Sequence, residues 1–166
     1  EAGVLGHSMG GKNAMQLALH HPEAIQKMKI VALSPRHYSP RHGQIFTGLL
    51  SLELKAFHTR HQMEEALAPD IPELSVRRFL LKNVARTPTG GFRWKLNLQD
   101  IFHNYAKLRA ALTDGTPFLK PALFLRGGRS DYLPEQDQGL VHRLFPKAQF
   151  HTIPQAGHWL HAEAPE

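Results

Sequence analysis

Apolar positions along the chain follow two rhythms. Short runs at 3–5, 30–33, 121–125 and 149–153 have the length of buried strands and are closed by turn residues: Gly6, Ser34-Pro35, Gly127-Gly128 and Pro154. Between them, 13–19 and 138–145 repeat apolar residues at helical spacing, the second through Leu140, Val141, Leu144 and Phe145. The first of these helices should stop near Pro22. Strands alternating with helices predict a parallel sheet with helices on its faces. From 36 to 116 the rhythm changes. Helices are expected at 44–54, 64–68, 73–84 and 100–112, and the alternation of Phe92, Trp94, Leu96 and Leu98 suggests a short extended piece at 91–98. The expected organisation is an α/β core from 1–35 and 117–166, with a mainly helical insertion at 36–116.

Composition narrows the function classes. The 166 residues are 42% hydrophobic and 20% charged, an ordinary globular balance. No apolar run approaches the roughly 20 residues needed to span a bilayer. Cysteine is absent, which excludes disulfides and thiolate metal sites and fits a reducing compartment. The net charge is +6, but the basic residues are scattered and Arg77-Arg78 is as dense as they become. That pattern reads as solvated surface and not as a nucleic-acid groove. His20-His21 and the i, i+3 pair His58/His61 lack a further ligand at metal spacing, so no metal is expected. The sequence opens at Glu1 within an apolar segment, so further residues, and any targeting segment with them, are expected upstream.

Chemistry concentrates at Gly6-His7-Ser8-Met9-Gly10. A G-x-S-x-G run between a strand and a helix is the signature of a sharp turn that presents a serine hydroxyl outward. Glycines two residues before and after the serine are expected to remove side chains that would collide across the bend. The turn puts Ser8 at a helix start, where backbone N–H groups and the positive dipole end favour developing negative charge. The N–H of Met9 is the expected half of an oxyanion hole.

A serine needs a base to take its proton, and the base needs an orienting acid. Hydrolases built on such an elbow run Ser, then Asp or Glu, then His along the chain. Among twelve histidines, His158 stands in a Gly157-His158-Trp159 loop just after the last strand. His161 reads as an exposed residue at a helix start. For the acid, Asp131 follows the 122–125 strand in Gly127-Gly128-Arg129-Ser130-Asp131, while Asp70, Asp100 and Asp114 fall in the insertion or its exit and Asp137 in a helix. The competing role for Asp131 is a turn or helix N-cap.

With these residues placed, the chain resembles the α/β-hydrolase superfamily over nearly its whole length. Gly6-His7-Ser8-Met9-Gly10-Gly11-Lys12, Tyr38-Ser39-Pro40-Arg41-His42, Gly91-Phe92-Arg93-Trp94-Lys95-Leu96-Asn97 and Ala156-Gly157-His158-Trp159-Leu160-His161 are similar to small bacterial esterases and to mitochondrial α/β-hydrolase domain-containing proteins. The resemblance implies a serine esterase without cofactor. Its substrate would be a small-molecule ester or thioester of a short to medium acyl chain. The insertion would be a cap, and Phe46, Leu49, Leu50, Phe79 and Leu80 would either line an acyl pocket or form the cap's own core. Some members take their acid from the strand after the elbow, where Val31-Ala32-Leu33-Ser34 has no carboxylate. The resemblance further implies that these residues are the C-terminal half of the fold, about four parallel strands. The loop giving the second oxyanion N–H would lie upstream, and the 166 residues alone would then be inactive. The expected compartment is the cytoplasm, with the mitochondrion as the alternative. Carbon–carbon bond hydrolysis on the same triad, or a non-catalytic ligand-binding scaffold, stays open. A dehalogenase does not fit, because serine stands where those relatives carry aspartate.

Overall fold

In a computed structural model that describes residues 1–165, the elements run β1 (Ala2–His7), α1 (Met9–His20), β2 (Ile25–Val31), α2 (Gly43–Ser51), α3 (Arg60–Ala66), α4 (Leu74–Leu81), β3 (Val84–Arg86), β4 (Phe92–Trp94), α5 (Leu98–His103), α6 (Tyr105–Arg109), β5 (Ala122–Gly127), α7 (Gln138–Leu144), β6 (Ala148–Ile153) and α8 (Leu160–Glu163). They divide into two compact units, 1–38 with 110–166 and 39–109.

The first unit is built on a parallel sheet ordered β1-β2-β5-β6. Register is continuous across it: Val4 pairs with Met28, Met28 with Ala122, and Ala122 with Ala148. α1 buries Gly11, Ala14, Met15, Ala18 and Leu19, one helical stripe at i, i+3, i+4, i+7 and i+8. Met15 and Leu19 pack with Ile30, Phe118, Phe124 and Phe145 into one core. Full burial of each such side chain stabilises by about 1.5–3 kcal/mol before chain entropy is subtracted.

β2 is longer than the 30–33 run suggests. Ile25, Met28, Ile30 and Val31 are buried, while Gln26, Lys27 and Lys29 are exposed, so outward polar residues mask its first half in the sequence. Residues 36–38 and 110–116, assigned to the insertion from sequence, also fold with the sheet. Tyr38 and Leu112 are buried in its core, the Leu112 N–H donates to Pro35 (2.8 Å) and the Thr116 N–H to Leu19 (3.0 Å).

The second unit, 39–109, has its own core around Phe46, Leu49, Met63, Leu67, Leu81 and Val84. β3 and β4 form an antiparallel ribbon with Val84 opposite Trp94. The extended piece expected at 91–98 is therefore one strand of a pair, and its partner was hidden at the end of the 73–84 helix. The single helix expected at 100–112 is two short ones, broken at Asn104.

Because all four strands of the sheet are parallel, the segments leaving β1, β2, β5 and β6 emerge at one edge, where open α/β sheets place their sites.

Candidate active site

Ser8 occupies the turn from β1 into α1 with φ 54° and ψ −123°, a conformation that suits glycine and strains any other residue. Its N–H is anchored to the Val31 carbonyl (3.0 Å), and its own carbonyl accepts from Gly11 (2.8 Å) and Lys12 (3.2 Å). Although Ser8 is the N-cap, its side chain does not cap the helix. The hydroxyl instead lies 3.0 Å from Nε2 of His158. Met9 follows at the first helical position, where a backbone N–H has no intrahelical acceptor.

The glycines are arranged differently from the sequence expectation. A Cβ on Gly6 would fall on the Gly10 carbonyl and 2.6 Å from Gly11 Cα, and one on Gly11 would approach the Gly6 carbonyl oxygen at 3.1 Å. Gly10, the second glycine of the motif, has nothing within 4 Å of that position. The close crossing between strand and helix is thus made by Gly6 and Gly11.

His158 lies in the loop between β6 and α8 and is held from several sides. His7 donates through Nε2 to the His158 carbonyl oxygen (2.9 Å). The Tyr132 ring packs on the imidazole at 4.2 Å between centroids. Tyr132 is steadied in turn by Tyr38, whose hydroxyl donates to the Tyr132 carbonyl (2.6 Å) and accepts from the Ser34 N–H (2.7 Å). Burial pushes the Tyr38 phenol up to about 12, so it stays a protonated donor. His161 is exposed at the start of α8 and packs edge-on against His7 at 5.2 Å.

Asp131 sits on the loop leaving β5, one residue before Tyr132. It is exposed, and its main-chain carbonyl accepts from Arg36 Nη2 (2.9 Å). Arg36 also pairs with the buried Asp137 at 3.0 Å and lies over the Tyr38 ring. The sequence left Asp137 in a helix; it closes a short 3₁₀ turn and ties the β5 loop to the segment after β2.

A second strained residue, Ala32, has φ 53° directly after β2. It is fully buried against Ala156 of the histidine loop and Leu160 of α8, and its N–H reaches the Leu125 carbonyl (2.9 Å). Of the five apolar residues named in the insertion, Phe46 and Leu49 lie in the core of the second unit. Leu50 and Leu80 pack partly buried against that core, and Phe79 is 44% exposed.

Among the described residues no cluster of histidine and carboxylate side chains could hold a metal ion, and no helix is long and apolar enough to cross a membrane.

A parallel sheet whose first strand turns through a strained serine toward a histidine beyond the last strand defines the α/β-hydrolase class. The chain belongs to this family: the model of the alpha/beta hydrolase fold matches residues 1–165. It is 35% identical to the sn-1-specific diacylglycerol lipase ABHD11 of Mus musculus, over 98% of this chain and 55% of that protein. With Esterase YbfF of Escherichia coli it shares 32% identity, over 100% of this chain and 63% of the relative. A solved marine microorganism esterase superposes with a TM-score of 0.93 at 38% identity, over 98% of this chain and 65% of that one. The chain thus spans less than two thirds of the length of these relatives.

Proposed function

We propose that the chain carries the nucleophile and base of a serine hydrolase that cleaves carboxylic esters through an acyl-enzyme. The observation that carries this reading is the 3.0 Å approach of Ser8 Oγ to His158 Nε2 at a strained elbow. The Ser8 hydroxyl gives its proton to Nε2 as its oxygen adds to the ester carbonyl carbon. The carbonyl oxygen becomes an oxyanion, stabilised by the Met9 N–H at the positive end of α1. Collapse of the tetrahedral adduct expels the alcohol, which takes the proton back from His158. Water then repeats the sequence on the acyl-enzyme and restores Ser8.

For Nε2 to accept, the imidazole proton must sit on Nδ1, and Asp131 is the acid assigned to orient it. Its place on the β5 loop beside Tyr132 supports that role. The substrate is a small-molecule ester, a class supported by the esterase and lipase names of the relatives, and its acyl chain is proposed to be short to medium.

The test, made on the full chain that carries these residues, is labelling by a fluorophosphonate probe together with turnover of p-nitrophenyl esters. Ser8→Ala should abolish labelling, and His158→Ala should cut turnover by roughly 10⁴–10⁶-fold, as loss of one member of such a unit does. His161→Ala should keep most activity. Labelling that persists in Ser8→Ala, or equal losses from the two histidines, refutes the assignment.

A further inference from the structure

The loop that carries His158 is held by a carboxylate five residues beyond it. Glu163 of α8 turns back so that Oε2 accepts the Gly157 N–H at 2.7 Å and Oε1 accepts the Trp159 N–H at 3.2 Å. These are the backbone N–H groups of the two residues that flank His158. Both oxygens also lie over Gly157, where an added Cβ would meet them at 3.1 and 3.2 Å. The same Oε2 receives Arg129 Nη2 at 3.2 Å, from the loop after β5. That loop is joined to the histidine loop by the Arg129 N–H to the Ala156 carbonyl (3.0 Å), and to the end of β6 by the Gly128 N–H to the Ile153 carbonyl (2.9 Å).

The geometry points to Glu163 as the positioning residue of His158: by accepting the peptide N–H on each side, it fixes the backbone from which the imidazole reaches Ser8. This rests on the functional reading above. With 157 and 159 both held, and the His158 carbonyl held by His7, the torsions around His158 lose their freedom and the Nε2 to Oγ approach is preset. Two N–H donors and a guanidinium all favour the ionised form, and the Gly157 bond is the largest cause holding the Glu163 carboxyl below its ordinary value. The acceptor is therefore intact throughout the neutral range. Arg129 sets a positive charge beside the carboxylate but takes no part in either backbone N–H hydrogen bond.

Misplacement of a reacting group by about 1 Å costs on the order of 10²-fold in rate. Glu163→Ala should accordingly lower kcat by about 10–100-fold with KM changed less than about 2-fold, because the ester contacts are untouched. Glu163→Gln keeps one acceptor oxygen and should recover part of the loss. Glu163→Asp, one methylene short, should not. Arg129→Ala leaves both backbone hydrogen bonds to Glu163 and should stay within about 3-fold of the parent. All four are read well below their melting temperatures, so that a purely stabilising role would show no change in kcat. Parent-like kcat in Glu163→Ala, or an equal loss in Arg129→Ala, overturns the proposal. If Glu163→Ala does not fold, parent-like kcat in Glu163→Gln overturns it as well. Failure of the parent to label at Ser8 refutes the serine-hydrolase reading instead, which keeps the two failures distinct.

Discussion

Ser8→Gly should make the protein more stable than Ser8→Ala, the reverse of what this pair does at most positions. Both variants lose the 3.0 Å contact to His158, so that contribution cancels between them. Alanine keeps the φ 54°, ψ −123° strain, worth about 1–3 kcal/mol for a residue with a Cβ. Glycine relieves it but gives up about 0.5–1 kcal/mol through the greater freedom of the unfolded chain. Taken at their midpoints, the two leave glycine ahead by about 1 kcal/mol. In a domain of this size, about 1 kcal/mol moves the melting temperature by about 2–4 °C, so a gap of roughly that size is expected. Thermal denaturation, with urea midpoints as a second measure, checks it, and neither variant should turn over ester. A Ser8→Gly protein that melts below Ser8→Ala would mean that the elbow holds no strain against a side chain.

Two further outcomes follow from named contacts. Gly6→Ala should cost at least about 3 kcal/mol or prevent folding, because its Cβ meets backbone that cannot withdraw. Gly10→Ala, on the first turn of α1 with open space around it, should be neutral or stabilising by up to about 1 kcal/mol; equal losses from the two on urea denaturation would refute the packing argument. The imidazole of His42 is held below the ordinary histidine range, first by burial and then by Arg41. The unfolded chain takes up a proton near 6.5 while the folded one resists it, so stability should fall as the pH drops through and below that value. His42→Gln should reduce this slope in melting curves taken from about pH 8 to about pH 5, and an unchanged slope would remove His42 as its source.

The sequence made the sheet and the ends of its strands legible because apolar runs and glycine turns are local signals. Ser8 and His158 could be placed for the same reason: each stands just beyond such a run. The first half of β2 was not legible, because Lys27 and Lys29 face outward from a strand that shows the core only its other side. Nor were β3 and the break at Asn104, where three-residue strands and five- or six-residue helices carry too little periodicity to register. The supports of His158 escaped for a different reason. Tyr38 reaches Tyr132 across 94 residues, and His7 reaches His158 across 151. No spacing rule encodes such contacts. Glu163 lies close to His158 in sequence, but its role depends on a carboxylate folding back over Gly157, which is visible only once the loop has a shape.

The hydroxyl of Tyr105 touches both the Arg41 N–H (3.3 Å) and His42 Nδ1 (2.7 Å), joining the first and last turns of the 39–109 unit. This clasp bears on the order in which the chain assembles. β2 and β5 are hydrogen-bonded neighbours, yet everything from Ala32 to Pro121 lies between them. Closing a flexible loop of about 90 residues costs about 4 kcal/mol of entropy, which slows the pairing of distant strands. If 39–109 condenses first on its own core, the clasp brings its ends together and leaves about 20 free residues to close, lowering that cost by roughly 1–1.5 kcal/mol. The insertion then acts as a folding aid for the sheet it interrupts, and loosening the clasp by Tyr105→Phe would slow refolding while leaving the pairing of β2 with β5 unchanged in the native state.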